Sequence, residues 1–178
     1  PRSATADMSS METIFYGASP MNPTRLREGM TKWGQIFYQF FGQSECPMVI
    51  ANMRKKEHDL FKPQRLSSCG RPSPWIHMSL RDPQGNEVAK GEAGEICIRG
   101  PLVMKGYKDM PEQTAEAFAG GWLHTGDVGK LDEDGFLYIV DRTKDMIVTG
   151  GFNVFPREVE DVLSTHEAVG QVVVIGVP

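Results

Sequence analysis

Three short stretches of the chain combine side chains that can do chemistry. Phe40-Phe41-Gly42-Gln43-Ser44-Glu45 sets aromatic rings, a glycine, a hydroxyl and a carboxylate just beyond an apolar run. An aromatic face can stack on a base, a hydroxyl can bond a phosphate oxygen, and a carboxylate can hold Mg²⁺, a hard cation that prefers oxygen ligands. The same residues also read as a core aromatic pair followed by a polar turn. In Trp122-Leu123-His124-Thr125-Gly126-Asp127 the carboxylate can accept from a ribose diol or close an Asx turn. Asp141-Arg142-Thr143-Lys144-Asp145 is either a nucleotide clamp or a solvated charge cluster. His124 and His166 read as partly buried structural residues rather than as catalytic bases.

Several other chemistries have no motif here. There is no G-x-G-x-x-G, no G-x-x-x-x-G-K-[ST], no H-E-x-x-H and no G-x-S-x-G, and the four histidines lack metal-ligand spacing. Cys46, Cys69 and Cys97 are widely spaced and form no C-x-x-C pair, which suggests reduced thiols and a cytoplasmic location.

The elements that must position these residues follow from patterning. Met11 to Tyr16 is strand-like, Asn22 and Pro23 signal a helix start, and Leu26, Met30 and Trp33 give that helix one apolar face. A second apolar run, Ile36 to Phe41, completes strand, helix, strand, a piece of an α/β layer whose strand ends are where ligands bind. Asn52 to Ser68 is polar and basic and reads as an exposed connection or lid. From Trp75 onward, short strands (Trp75–Arg81, Glu95–Arg99, Phe136–Val140) alternate with Gly- and Pro-rich turns, interrupted by one helix beginning near Pro111, so the middle reads as a small barrel or sandwich. Met146–Thr149 and Asn153–Phe155 flank Gly150-Gly151 as a hairpin, Pro156 starts an amphipathic helix, and Gln171–Val177 reads as a buried strand.

Composition limits the classes. The 178 residues carry 24% charged and 40% hydrophobic side chains, an ordinary globular balance. A formal net charge of -4 with no long basic block argues against a nucleic-acid binder. No apolar run approaches the roughly 20 residues needed to span a bilayer.

Taken in order, Tyr16-Gly17-Ala18-Ser19-Pro20, Phe41-Gly42-Gln43-Ser44-Glu45, Gly91 through Gly106-Tyr107, Gly121 to Asp127 and Asp141 to Glu160 resemble the adenylate-forming superfamily: acyl- and aryl-CoA synthetases, peptide-synthetase adenylation domains and luciferase. The resemblance covers about Ile14 to Pro178 and is strongest to fatty-acyl-CoA synthetases. It implies activation of a small-molecule carboxylic acid by ATP and Mg²⁺ to an acyl-adenylate, with release of pyrophosphate and transfer to CoA. By the same resemblance Phe41 stacks on adenine beside Gly42, Gly17, Ala18 and Ser19 form a backbone wall, and Ser44 meets the α-phosphate where relatives more often have Thr. Glu45 is the Mg²⁺ ligand, Asp127 binds the ribose hydroxyls and Arg142 joins it. Lys144 is the hinge, Gly150 and Gly151 face the CoA tunnel, and Gly42, Cys46, Pro47 and Met48 line the acyl pocket. Phe152 departs from the Gly-Gly-Glu-Asn of many relatives.

The expected fold class is mixed α+β. Residues 1–60 would end an α/β subdomain, 61–141 would form a β-barrel-like subdomain, 142–144 the hinge, and 145–178 the start of a small α+β domain. The family's Ser/Thr/Gly-rich phosphate loop and its C-terminal lysine have no counterpart in these residues. The expectation is therefore a piece of an AMP-forming acid–thiol ligase that is inactive alone, with neither nucleic acid nor a transmembrane segment involved and a homodimer of the parent left open. The alternatives are a relative that uses another acceptor and a non-catalytic binding module.

Overall fold

The computed structural model describes residues 7–19, 21–149, 152–164, 166 and 168–177. Strand β1 (Ile14–Gly17) leads into helix α1 (Pro23–Trp33), which begins where the sequence places it. The Asn22 side chain accepts from Thr24 N–H at 2.9 Å and Arg25 N–H at 3.3 Å, filling the first-turn donors that a helix leaves open. Leu26 and Met30 turn inward against Phe37 and Leu66, and each such burial contributes about 1.5–3 kcal/mol. The helix returns the chain to β2 (Phe37–Gln43), which pairs with β1 in parallel, the strand–helix–strand unit expected.

The sequence reading ends that unit at Phe41, whereas β2 continues through Gln43. It then reverses at Ser44-Glu45 into β3 (Cys46–Met53), antiparallel to β2, and β3 in turn pairs with β4 (Arg71–Pro72). Phe41 to Glu45 therefore forms the end of a hairpin. Gly42 makes it possible, because a Cβ there would lie 2.2 Å from Met48 N, and the register shifts between Phe41 and Gln43.

The basic connection is more embedded than its polarity suggests. After β3 it makes two short 3-10 turns and places Glu57, His58, Leu66 and Ser68 in the interior. Arg71 Nη1 donates to Glu57 Oε1 at 2.7 Å, and the Arg65 and Arg71 guanidinium carbons lie 4.1 and 4.2 Å from the centroid of the fully buried Phe136 ring. The two cations thus pack against one aromatic of the second sheet, which fastens the connection.

That second sheet is antiparallel in the order β5 (His77–Arg81), β6 (Gly94–Arg99), β7 (Leu123–Leu131), β8 (Leu137–Arg142), with α2 (Pro111–Ala117) between β6 and β7. Among the described residues β5 and β8 do not pair, so the barrel-like middle is an open four-stranded sheet. The two sheets meet where Gly70 bridges Leu137, and Ile50, Ala51, Cys69, Ile96, Ile98, Leu123 and Leu137 share one core cluster.

Beyond β8, β9 (Ile147–Thr149) and β10 (Phe152–Val154) form the expected antiparallel hairpin, followed by α3 (Pro156–Leu163). Gly150 and Gly151 lie outside the described residues. Residues 171–177 are not a strand: Val173, Ile175 and Val177 are exposed. An apolar run becomes a strand only when a neighbour takes its backbone bonds, and none of the described strands does so. No described helix is long and apolar enough to cross a membrane.

Candidate functional site

Two groups of the sequence-nominated residues take shape, one on each sheet. In the first, Gly17 at the end of β1 sits so tightly against β2 that a Cβ would lie 2.3 Å from the Phe40 carbonyl oxygen. Ala18 follows in the left-handed region with φ of +63°, and it and Ser19 are exposed beyond the strand end. Ser44 is exposed on the hairpin turn, and Glu45 beside it is half-buried. Tyr107 Oη donates to Glu45 Oε1 at 2.8 Å, and Met104 N–H donates to the Glu45 carbonyl at the same distance. The hydrogen bond to the carboxylate, with some burial, holds the Tyr107 hydroxyl above its ordinary pKa. Glu45 Oε2 has no hydrogen-bond or ion-pair partner among the described residues, so the residue fits a hard cation with one free oxygen.

The remaining hairpin residues divide between core and surface. Phe41 is 9% exposed and packs in the main core, and Cys46 is fully buried in the same cluster, its thiol pKa raised by burial. Pro47 and Met48 are exposed, Met48 with φ of +56°, so Gly42, Cys46, Pro47 and Met48 do not share one face. Phe40 stacks on the exposed Phe15 at 5.3 Å between centroids, so an aromatic surface on this sheet is built by β1 and β2 together.

In the second group, Asp127 and Arg142 are direct cross-strand partners on β7 and β8. Arg142 Nε lies 3.3 Å from Asp127 Oδ1. The carboxylate is 10% exposed and the guanidinium 62% exposed. Burial pushes the Asp127 pKa up and the arginine pulls it back. Asp127 is thus a carboxylate within a strand and closes no Asx turn. A bulge shapes its approach: Gly126 takes φ of +74°, and Glu95 Oε1 accepts its N–H at 3.1 Å. Asp141, next to Arg142, accepts from Arg142 N–H at 2.8 Å and from Arg157 N–H at 3.1 Å, which joins the end of β8 to the first turn of α3. Lys144 is exposed and lines an open cavity of about 420 Å³ together with Asp145, Glu160 and residues 173–176.

Reasoning from sequence gave no individual role to Tyr107, Glu95 or Asp141, although all three lie inside quoted motifs. Their partners are 62, 31 and 16 residues away, and local spacing gives no signal for such pairs.

The family model of the AMP-binding enzymes matches residues 1–108. The chain belongs to the AMP-binding enzyme family. Among its relatives, the medium/long-chain-fatty-acid–CoA ligase FadD8 of Mycobacterium tuberculosis is 56% identical over 178 residues, covering all of this chain and 31% of the relative. Two solved structures match closely. The amide bond synthetase McbA from Marinactinospora thermotolerans has a TM-score of 0.89 at 38% identity, over 100% of this chain and 35% of that one. The O-succinylbenzoate CoA synthetase MenE of Bacillus subtilis, in complex with ATP and magnesium ion, has a TM-score of 0.77 at 36% identity, over 93% and 34%. The chain therefore spans about a third of the length of the proteins it matches.

Proposed function

We propose that this AMP-binding chain is part of an ATP- and Mg²⁺-dependent ligase that activates a fatty or other hydrophobic carboxylic acid and transfers it to CoA. The reading is carried by the buried, arginine-braced Asp127 at the β7–β8 pair, a site for a sugar diol rather than a bare phosphate. A carboxylate accepts two hydroxyl donors, whereas it repels a phosphate. Glu45, with one free oxygen, would hold Mg²⁺ close to the Ser44 hydroxyl. When bound, that ion would neutralise charge on the phosphates.

Gly17, Ala18 and Ser19 would flank the nucleotide through their backbone, because the close approach of β1 to β2 leaves no room for a side chain at Gly17. Phe41 would present only its outer edge to the base, and Gly42, Pro47 and Met48 would border the acyl chain. Lys144 would be the point about which the residues beyond β8 turn between the two half-reactions, with Gly150 and Gly151 on the CoA side. The 178 residues alone would not turn over, since they contain no phosphate-loop motif.

The test is product analysis with the complete polypeptide. It would be incubated with ATP, Mg²⁺ and a fatty-acid panel, and offered CoA, an amine or a phosphopantetheinyl carrier. Acyl-CoA as the dominant product supports the reading. Amide formation would favour chemistry like that named for McbA, and exclusive loading of the carrier would favour an adenylation domain.

A further inference from the structure

Near Asp127, on β6 and the same strand β7, lies a cluster of donor atoms that the reading above does not use. Glu95 and Cys97, two residues apart on β6, point to one face of the sheet, and His124 on β7 is the direct cross-strand partner of Cys97. His124 Nδ1 lies 2.8 Å from Glu95 Oε2 and 3.5 Å from Cys97 Sγ, and the three donor atoms all fall within 4.8 Å of one another. A tetrahedral zinc ion with ordinary Zn–S and Zn–N bonds places sulfur and nitrogen about 3.6 Å apart and nitrogen and oxygen about 3.3 Å apart. The sulfur–nitrogen distance already has that value. The nitrogen–oxygen contact has to open by about half an ångström, and sulfur and oxygen, within 4.8 Å of each other, have to settle at about 3.6 Å.

The outer contacts orient the donors inward. His124 Nε2 lies 3.2 Å from the Ala119 carbonyl, and donating there keeps Nε2 outward and leaves Nδ1 facing Glu95 and the cluster, able to ligate once the proton it shares with Oε2 is displaced by the metal. Glu95 Oε1 is occupied by Gly126 N–H, leaving Oε2 toward the cluster. Cys97 forms the buried floor, while the His124 and Glu95 side chains are 29% and 21% exposed, so the cluster is open to solvent on one side.

We propose that Glu95, Cys97 and His124 form a binding site for one Zn²⁺ ion, with water in the fourth position. A thiolate, an imidazole and one carboxylate favour Zn²⁺ over Mg²⁺, so the site differs from the one proposed at Glu45 in its residues and in metal preference. Bonds form from zinc to Sγ, Nδ1 and Oε2. The thiol proton and the proton shared between Nδ1 and Oε2 leave to solvent, with no change of oxidation state. Affinity therefore rises with pH. Because Glu95 also holds Gly126 N–H, an occupied site braces the bulge that precedes Asp127.

The test is titration of the metal-free full chain with Co²⁺, a visible substitute for zinc. The expected result is one equivalent bound, with a near-ultraviolet thiolate-to-cobalt band and intense visible bands, both erased by stoichiometric Zn²⁺ but not by Mg²⁺. Cys97→Ser removes the charge-transfer band, Cys46→Ser and Cys69→Ser retain it, and Glu95→Gln weakens binding at least tenfold. Circular dichroism confirms that each variant is folded, and His124→Gln stands in if Cys97→Ser does not fold. A folded wild-type chain with no thiolate band, or a band that survives Cys97→Ser, overturns the proposal and leaves the cluster as a closed hydrogen-bond network.

Discussion

Asp127→Asn separates what the site costs the fold from what it does for a ligand. The substitution keeps the shape and removes the charge. In the native chain burial raises the Asp127 pKa above the ordinary carboxyl value, against the pull of Arg142. A carboxyl whose folded pKa is raised binds its proton more tightly when native. Its contribution to stability is full below the unfolded pKa and is lost as pH rises through the folded value. At neutral pH the ionised side chain is therefore a net cost, and the asparagine variant escapes it. The guanidinium left behind is 62% exposed, so water replaces its partner at little penalty. Asp127→Asn is thus expected to be at least as stable as wild type at pH 7, with its advantage shrinking as pH falls toward 4. Binding goes the other way. A hydrogen bond to a charged acceptor contributes about 1.5–3 kcal/mol, which predicts roughly 10- to 100-fold weaker AMP binding by calorimetry on the complete polypeptide. Denaturant melts at several pH values give the first quantity and calorimetry the second. A variant that loses more than about 1 kcal/mol at pH 7, or that binds AMP within about twofold of wild type, refutes the reasoning.

Glu45→Gln is expected to raise the Mg²⁺ concentration needed for adenylation by at least tenfold, and Tyr107→Phe, which removes one hydrogen bond from the same carboxylate, by roughly three- to tenfold; Mg²⁺ titrations of the first half-reaction read both. Lys144→Pro should leave that half-reaction within about threefold while lowering thioester formation at least tenfold, since it stiffens the proposed turning point without touching the proposed nucleotide residues; equal loss of both steps contradicts the assignment. His58 is fully buried, with Nε2 2.9 Å from Tyr16 Oη and Nδ1 2.9 Å from the Arg54 carbonyl. Desolvation lowers its pKa from 6.5, so its stabilising contribution is present above that value and is lost as pH falls toward the depressed folded pKa. His58→Phe should cost about 1–3 kcal/mol at pH 8 by stranding two polar partners and should flatten the acid-side slope, as denaturant melts across pH would report.

Local signals carried far. Asn22 before Pro23 marked the start of α1, and Pro156 the start of α3, because caps and prolines act on the nearest turn of backbone. Asp127 and Arg142 were both nominated from sequence, and the register that makes them partners belongs to the sheet. The failures share a cause. Cys46–Met53 is an unrecognised strand because its identity depends on pairing with β2, and β7 was obscured by Gly126 and Gly129, which a strand tolerates only where a bulge or a close neighbour requires them. Residues 171–177 err the other way, since an apolar run reads alike whether or not a partner exists. Short strands between turns do not reveal whether a sheet closes, which is settled by the contact between its first and last strands. The interior placement of His58 within a basic, polar connection had no local signal at all.

The most direct test of the central claim is carboxylate-dependent ATP–pyrophosphate exchange by the complete polypeptide over acids of graded length, with the 178 residues alone alongside. Exchange that requires a hydrophobic acid and Mg²⁺, seen with the complete polypeptide and not with these residues alone, is the predicted result. A folded, complete polypeptide that exchanges with no carboxylate would contradict the account and point to a binding role for the fold.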